Sequence, residues 1–337
     1  MPKVGGRVGI GDVAAAAGVS TTTVSHVLSG NRPVRASTRA QVEAAIRKLG
    51  YRPDPSARSL RIQRTENVAL VVPDITNPFF PQLAAGMQDI LHPEGYLISV
   101  SDAALPVRSL DAVVQHLLDR RMDGIVMAPH FATPMHHTRI AESGAKLVRL
   151  SGSIDDGLGD IVRSDDTAGV AGVVRHLVER GYRRIAFING EVTAEPGRLR
   201  IAGYRRGLSE AGLDYDEDLV KTETFTRDGG MNGAQSLLRR GARQPDAIVC
   251  ANDLIAVGAM DALRRRGLSI PGDIALTGYD DIEAAALLSP SLTTVHNPAR
   301  EIGRSCARLL LDRLADGYDG PPRDVVLPNR LIPRESS

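Results

Sequence analysis

The feature that most constrains the fold is an alternation, from Asn67 onward, of short apolar runs with helical stretches of 10–15 residues. Strands that alternate with helices form parallel sheets that carry helices on both faces. Eight runs form two successive series of four, which predicts two similar doubly wound α/β lobes. The predicted strands are 68–74, 96–102, 124–129 and 146–151, followed by 184–190, 219–225, 247–253 and 274–280.

Charge is divided unevenly along the chain. The first 64 residues carry eleven Lys and Arg against three Asp and Glu, whereas the other 273 carry thirty against thirty-seven. A small cationic segment on a mildly acidic body indicates that this segment meets a polyanion, which is either nucleic acid or an anionic membrane surface.

Composition points to a cytoplasmic protein. No apolar run approaches the roughly 20 residues that a membrane span requires. The first twelve residues lack the apolar core of a signal peptide, so export is not expected. Cys250 and Cys306 stand alone and far apart, and we expect two buried free thiols, which suit a reducing compartment.

The cationic segment contains the pattern of a helix-turn-helix. Residues 12–17 form a short Ala-rich helix candidate, Gly18 can adopt the positive φ that ends a helix, and Ser20 can cap the next helix over 21–28. Val24 and Leu28 lie four apart on one face of this second helix, and a third helix is predicted over 37–49 with Ser37 as its cap. The spacing of small, glycine and apolar residues is that of a helix-turn-helix corner, which favours DNA over a membrane as the polyanion.

The second helix would place its first residues at base edges in the major groove. Thr21, Thr22 and His26 are therefore the candidate base readers, since Thr and His can donate to or accept from base edges. The alternative is a three-helix packing unit whose Thr and His only face solvent. Further contacts to DNA are predicted for Ser20, Arg32, Arg35 and Arg39, the arginines binding phosphates, which position the protein without specifying sequence.

Residues 53–65 are predicted to form a hinge between the cationic segment and the two α/β lobes. Asp54 and Pro55 favour one short helix, which is too short to be stable alone and would order against DNA and a second chain. Leu60 would insert into the minor groove, with Arg58 among its cationic neighbours. The alternative is a flexible tether in which this leucine has no role.

Aromatic and polar residues collect where predicted strands end. Four of the five Phe lie at or just after a strand's carboxyl end, where ligands bind in this architecture. Aromatic faces together with amides, carboxylates and a guanidinium suit a small polar ring. The candidate effector residues are Asn77, Phe79, Phe80, Phe131, Arg200, Phe225, Asn252 and Asp280. Alternatively, nearby carboxylates cap the following helices; Asp165, Asp166, Asp253 and Asp281 are the ones concerned.

Eight motifs in series resemble those of the lactose/galactose-repressor (LacI/GalR) family of bacterial regulators. They cover essentially the whole chain, in the family's order and spacing, and STTTVSHV is most similar to the recognition helix of purine repressors. The motifs are DVAAAAGVSTTTVSHVL, YRPDPSARSLR, VPDITNPFF, RLRIAGYRRGL, CANDLIAVGAM, TGYDDIE, SPSLTTV and LIPRES.

The resemblance implies an all-α helix-turn-helix head on a periplasmic-binding-protein-like α/β body, with three chain crossings between the lobes. It implies base reading by Thr21, Thr22 and His26, minor-groove insertion by Leu60, and effector contacts at Phe79, Phe80, Arg200, Phe225, Asn252 and Asp280. The expected segments are 8–52 for the head, 53–65 for the hinge, 66–161 with 293–318 for one lobe, and 162–292 with 319–337 for the other.

Two departures from the family pattern matter. Leu150, Ser151 and Gly152 stand where many members have a carboxylate that contacts the ligand, which leaves the effector's identity open between a sugar-like and a nucleobase-like ring. Gly9 stands where the first helix usually has a capping Thr. No heptad extension follows the last motif, so we expect a dimer.

The sequence thus predicts a homodimeric repressor that binds a pseudo-palindromic DNA operator and is switched by a small polar effector. No cofactor or metal is expected. A solute-binding protein of the two-lobe type is the alternative. An enzyme is not favoured, because the motifs of nucleophile elbows, phosphate loops and zinc sites are missing. His130, His136 and His137 are expected to form a surface group and not a metal site.

Overall fold

The computed structural model describes residues 8–30, 32–51, 64–103, 110–129, 131–152, 154–193, 195–239, 243–315 and 317–337. The chain divides into two compact units, residues 1–65 and residues 66–337. Most of the predicted hinge, with Arg58 and Leu60, lies outside the described residues, as does His130.

The first unit is a bundle of three helices, α1 (Ile10–Ala17), α2 (Thr21–Ser29) and α3 (Ala36–Leu49). Gly18 ends α1 with a φ of +64°, and the Ser20 hydroxyl caps α2 by accepting from the backbone N–H of Thr23 at 3.1 Å. The core of this unit consists of Val13, Ala14, Val24, Val27, Val42 and Ala45. The predicted helix-turn-helix is therefore confirmed.

Two local predictions for this unit are wrong, and a third feature, the missing Thr cap, is partly compensated. Ser37 does not cap α3, because the helix already begins at Ala36, with Arg35 in the cap position. Leu28 is 39% exposed, and Val27 fills the core in its place because it lies three residues after Val24 on the same face. At Gly9, the missing Thr cap is partly replaced, since the Asp12 carboxylate accepts from the Gly9 N–H at 2.8 Å.

Two parallel sheets form the second unit. The first sheet has six strands in the order β11-β5-β4-β3-β1-β2, and the second has four in the order β7-β6-β8-β9. The strands are β1 (Asn67–Val72), β2 (Leu97–Asp102), β3 (Gly124–Met127), β4 (Lys146–Arg149), β5 (Asp160–Ser164), β6 (Ile185–Asn189), β7 (Val220–Thr222), β8 (Ala247–Cys250), β9 (Ala275–Thr277), β10 (Thr294–His296), β11 (Asp324–Leu327) and β12 (Arg330–Ile332). β10 and β12 pair with each other, antiparallel.

The helices of this unit pack on the sheets and give each lobe its own core. They are α4 (Phe79–Leu91), α5 (Leu110–Asp119), α6 (Pro134–Glu142), α7 (Asp166–Glu179), α8 (Glu195–Glu210), α9 (Arg227–Leu237), α10 (Asp253–Arg265), α11 (Glu283–Leu287) and α12 (Ala299–Leu314). Among the described helices, none combines the length and the hydropathy needed to cross a bilayer. Both cysteines are buried free thiols, as expected.

All eight predicted strands are present, and four further strands join them. β5 and β11 extend the first sheet, where they pair in parallel with each other. The family resemblance implies that residues 319–337 belong to the second lobe, but this pairing puts Asp324–Leu327 in the sheet of the first lobe. The chain passes between the lobes where β5, β10 and β11 end; we call residues 164–166, 297–298 and 328–329 the three crossing segments.

His136 and His137 are buried and do not form the expected surface group. The His136 ring accepts from the Thr133 backbone N–H at 2.9 Å and so caps α6. Burial, reinforced by the nearby Arg149 guanidinium, lowers the pKa of His137 to about 4, which keeps this side chain neutral in the core.

A buried carboxylate joins β5 to elements that arrive much later in the chain. Asp160 is fully buried. It accepts from the Arg313 guanidinium of α12 at 2.7 and 2.8 Å, and from Arg323, next to β11, at 2.9 Å. Burial alone would raise the pKa of Asp160, but the hydrogen bonds from both arginines hold it below its usual range. The first sheet therefore depends on this ion pair at its edge.

Asp160→Asn should lower the free energy of unfolding by about 3 kcal/mol, because it leaves two arginines facing an uncharged group. Urea unfolding measures this loss. Because the folded-state pKa is lowered, the stabilisation is present above the usual pKa of Asp and is lost as the pH falls through the folded-state value. The difference between variant and parent should therefore shrink on acidification.

Asp312→Asn is the matched control, since Asp312 pairs with the same Arg323 but its side chain is 53% exposed. It should change stability by about 0.5 kcal/mol or less. Equal losses for the two variants would contradict a special role for the buried carboxylate.

Candidate functional site

The start of α2 presents the predicted base readers on the surface of the first unit. Thr21 and Thr22 are exposed, and His26, one turn later, is half-buried. The Ser20 hydroxyl is engaged in capping and lies 2.9 Å from the Thr23 hydroxyl. Ser20 therefore caps the helix, and the predicted contact of its hydroxyl with DNA would form in addition to this capping hydrogen bond.

The predicted phosphate contacts follow α2. Arg32 and Arg35 are exposed in the loop between α2 and α3, and Arg39 is half-buried on the first turns of α3. Three arginines thus follow α2 in the chain, and binding of a polyanion requires cationic side chains of this kind.

All eight predicted effector residues line one cavity of about 520 Å³ in the second unit. This volume lies within the ~300–1,000 Å³ that small-molecule sites usually have. The residues come together because the carboxyl ends of parallel strands in both lobes face the cavity. Phe79 and Phe80 begin α4, Phe131 follows β3, and Phe225 follows β7.

Aromatic rings provide part of the apolar wall of the cavity, together with aliphatic side chains such as Leu150 and Ile302. Phe79 and Phe80 meet edge to face, with ring centroids 5.3 Å apart. Phe225 packs against Gly190, where any Cβ would lie 2.0 Å from the ring. Phe79, Phe80 and Phe225 are thus held by packing and offer aromatic faces to a bound ring, whereas Phe131 is 43% exposed.

Arg200 is the central charged group of the cavity. It lies on α8 and is only 6% exposed. Its guanidinium lies 3.3 Å from the Asp166 carboxylate and 3.8 Å from that of Asp280, donates to the Ala251 carbonyl at 2.6 Å, and stacks 4.0 Å from the centroid of the Tyr279 ring. Desolvation lowers its pKa, but the two carboxylates outweigh this effect and raise the pKa above the usual value.

Asp280 sits in a strained loop after β9. Its φ is +110°, and that of Asp281 is +58°, which are uncommon for residues with side chains and are typical of functional sites. Burial raises the pKa of Asp280 to about 6, against the opposing effects of Arg200 and of a hydrogen bond from the Asn297 amide. The Asp281 carboxylate is held by Arg334 at 2.6 Å and His296 at 3.0 Å.

Some of the polar residues do cap helices. Asp165 caps α7 by accepting from Ala168 at 2.9 Å, and Asn252 caps α10 by accepting from Ile255 at 2.8 Å while its amide donates to the Phe225 carbonyl. Asp166 and Asp253 do not cap. Asp166 pairs with Arg200, and Asp253 accepts from the Thr294 hydroxyl at 2.6 Å and the Ile282 N–H at 2.9 Å.

Sequence reasoning missed Asn297 and Tyr279. Asn297 lines the cavity and is 6% exposed; its amide donates to Asp280 at 3.0 Å, and its carbonyl oxygen Oδ1 is buried without a hydrogen-bond partner among the described residues. The signal for Tyr279 was its place beside Asp280. Asn297 gave no signal, because it follows β10, a strand that was not predicted. Ser151, at the position of the missing family carboxylate, also lines the cavity.

Comparisons with known proteins assign both units. Residues 9–54 match the model of bacterial regulatory proteins of the lacI family, and residues 174–337 match a periplasmic binding protein-like domain. The ribose operon repressor of Escherichia coli (strain K12) is 34% identical over 304 residues, which are 90% of this chain and 92% of that protein. The chain belongs to the LacI family.

Other relatives of this LacI-family chain agree. The HTH-type transcriptional repressor PurR of Vibrio atlanticus is 33% identical over 91% of this chain and 92% of its own length. The structure of a lac repressor dimer bound to operator and the anti-inducer ONPF is similar with a TM-score of 0.86 and 26% identity, and covers 98% of this chain and 99% of that one. A LacI-family regulator from Enterococcus faecium with bound ribose gives a TM-score of 0.72 at 29% identity, over 80% and 98%.

The chain is accordingly a DNA-binding transcriptional regulator of the LacI family, and the resemblance to repressors, including purine repressors, is confirmed. Nothing in these comparisons supports the alternative of a solute-binding protein without DNA regulation. The roles of individual residues at both sites stay predictions.

Arg200→Ala should lower the free energy of unfolding by about 3–5 kcal/mol, because Asp166 and Asp280 would remain buried without their cation. Arg198→Ala is the control. Arg198 lies two residues away on α8, its side chain is 64% exposed, and its pairing with Glu195 is 3.9 Å long. Thermal unfolding should show a change of about 0.5 kcal/mol or less for this variant. A loss for Arg200→Ala as small as that of the control would contradict the central role of the buried guanidinium.

Proposed function

We propose that this LacI-family chain is a homodimeric repressor whose operator affinity is set by a neutral, polyhydroxylated effector bound in the cavity. The observation that carries the proposal is the buried Arg200 with its two carboxylates, in a cavity lined by residues of both lobes. An effector that fits one lobe arrangement better than another shifts the population toward it. That shift would reach DNA through residues 53–65.

The DNA partner follows from the first unit. Two heads related by two-fold symmetry would read two half-sites of a pseudo-palindrome, with Thr21, Thr22 and His26 at base edges. The lac repressor dimer bound to operator is the structural precedent. Because bacterial operators lie in the cytoplasm, we place the protein there.

Charge selects the class of effector. The described lining contains five carboxylates, from Asp74, Asp166, Glu191, Glu195 and Asp280, and two guanidiniums, from Arg163 and Arg200. Both guanidiniums are paired, Arg163 with Asp324 at 2.5 Å and Arg200 with Asp166 and Asp280. A phosphate or carboxylate on the ligand would therefore be repelled by the excess of carboxylates. It would also lack a cationic partner, which a charged group needs when it leaves water.

Hydrogen-bond chemistry points the same way. Asn297 Oδ1 is a buried acceptor without a described partner, and it lies beside the Asp280 carboxylate. Both groups require donors, which adjacent hydroxyl groups of a sugar ring provide. Bound ribose in the Enterococcus faecium regulator is an example of such a ring.

We further propose that the cavity binds its ligand without converting it. Its most buried charged groups, Arg200, Asp166 and Asp280, are paired with one another, which suits recognition of a ligand more than attack on it. Recovery of D-ribose unchanged after prolonged incubation with the protein supports this, and any product that requires the protein contradicts it.

Operator binding is tested with the duplex that the full-length protein selects from a random library. His26→Ala should weaken binding to this duplex by about 1–3 kcal/mol and leave binding to random duplex unchanged, because it removes a base contact. Arg39→Ala should weaken both and reduce the slope of log K against log salt by about 1. Failure to select any duplex would contradict the proposed regulator, and equal salt slopes would contradict phosphate contact by Arg39.

Effector class is tested by thermal shift with matched ligands. D-ribose and cellobiose are the neutral sugars, D-ribose 5-phosphate is the charged counterpart, and hypoxanthine is the nucleobase. At least one neutral sugar should raise Tm, because a ligand bound only by the folded state stabilises it by mass action. A shift given by the phosphate ester but not by D-ribose would contradict the charge argument, and a shift by hypoxanthine alone would favour a nucleobase effector.

A further inference from the structure

The three crossing segments between the lobes all contribute side chains to the network around Arg200. Ser164 and Asp166 belong to the crossing after β5, Asn297 to that after β10, and Asn329 to that after β11. The contacts form one connected set, which we call the Arg200 network. It consists of Ser164, Asp166, Arg200, Tyr279, Asp280, Asn297 and Asn329.

The first crossing joins the network through Asp166. The Asp166 Oδ1 atom accepts from the Ser164 hydroxyl at 3.1 Å and from the Tyr279 hydroxyl at 2.7 Å, and Asp166 pairs with Arg200. The second crossing joins through Asn297, whose amide donates to Asp280 at 3.0 Å, while Asp280 lies 3.8 Å from the guanidinium. Both crossings thus meet at the same cation.

The third crossing joins through Asn329. Its amide donates to the Asp165 carbonyl at 2.6 Å and to the Tyr279 hydroxyl at 3.1 Å. Gly169 makes this approach possible, since a Cβ there would lie 2.8 Å from the Asn329 amide nitrogen and 2.9 Å from the Tyr279 ring. Asn329 and Tyr279 do not line the cavity, whereas Arg200, Asp166 and Asp280 do. The contact of Asn329 with the cavity residues is therefore indirect.

Connecting segments absorb the dihedral changes when two lobes rotate relative to each other. Here, the first segment pairs directly with a cation that lines the cavity, and the other two segments reach that cation through Asp280 and Tyr279. These hydrogen bonds can all form only in one relative position of the three segments, and they therefore favour one angle between the lobes. A ligand that moves Arg200 or Asp280 changes that preference.

We propose that Asn329 is a positioning residue for the switch, which ties the third crossing segment to the Arg200 network so that cavity occupancy and lobe angle depend on each other. This inference rests on the proposed function. It predicts that loss of the Asn329 amide uncouples the effector from DNA without removing either binding site.

The test measures the coupling ratio, which is the operator Kd with saturating sugar divided by the Kd without it. The probe is D-ribose, or the neutral sugar of the panel above that raises the Tm of the parent most, and the DNA is the selected duplex. In Asn329→Ala, this ratio should differ from one by a factor about fivefold or more smaller than in the parent. The operator Kd without sugar and the sugar Kd of the free protein should each stay within about threefold of the parental value. Lower stability alone would reduce the active fraction in both measurements equally and leave the ratio unchanged.

Arg330→Ala is the matched control, because Arg330 is the exposed neighbour of Asn329 and lies outside the network; it should keep the parental ratio. Tyr279→Phe removes the hydroxyl that bridges Asn329 and Asp166 and keeps the ring beneath Arg200. Its effect on the ratio should not add to that of Asn329→Ala in the double variant, since both remove one chain of contacts.

The outcomes separate the two proposals. If the sugar leaves the operator affinity of the parent unchanged, the proposed function fails and the role of Asn329 fails with it. If the parent responds and Asn329→Ala keeps its full coupling ratio, the role of Asn329 alone is refuted. Additive effects in the double variant would also refute it, because they place Asn329 and Tyr279 on separate routes.

Discussion

The second unit depends on one buried guanidinium held between two carboxylates. An isolated charge in a protein interior costs far more than the whole folding free energy of a domain, so Arg200 can be buried only if Asp166, Asp280 and the Ala251 carbonyl are all in place. These partners come from the end of β5, the loop after β9 and the end of β8. Arg200, Asp166 and Asp280 also line the cavity. The contacts that stabilise this lobe are therefore the same ones that a bound ligand would meet.

Much of the fold could be predicted because most buried strands of parallel sheets are continuous apolar runs. The four strands that were missed lack this property. β5 carries Asp160 and Arg163, whose charges are compensated by Arg313, Arg323 and Asp324, more than 150 residues later in the chain. β11 is an edge strand with alternating exposure, and β10 and β12 have three residues each. Such strands form because segments that are distant in the chain pair with each other, and the local sequence pattern does not indicate this pairing.

The same reason limits what the sequence says about the cavity. Its aromatic residues and Arg200 were found because carboxyl ends of parallel strands meet at one edge. Whether a polar side chain faces a ligand or caps a helix depends on partners that the sequence does not place, so Asp165 and Asn252 turned out to be caps while Asp166 pairs with the arginine. Asn297 and Asn329 were missed because each follows a strand that exists only through long-range pairing. The hinge residues Arg58 and Leu60 lie outside the described residues and stay predictions.

The late position of β11 and β12 has a consequence for biosynthesis. β11 completes the edge of the first sheet, and β12 pairs with β10. Ser336, which follows β12, accepts from the Thr293 N–H and donates to the carbonyl of Leu276 on β9 in the second sheet. As the polypeptide leaves the ribosome, neither sheet can acquire these hydrogen bonds until residues 324–337 have been synthesised. Until then both nascent sheets expose unpaired edges, which makes the incomplete molecule prone to aggregation and a natural client for chaperones.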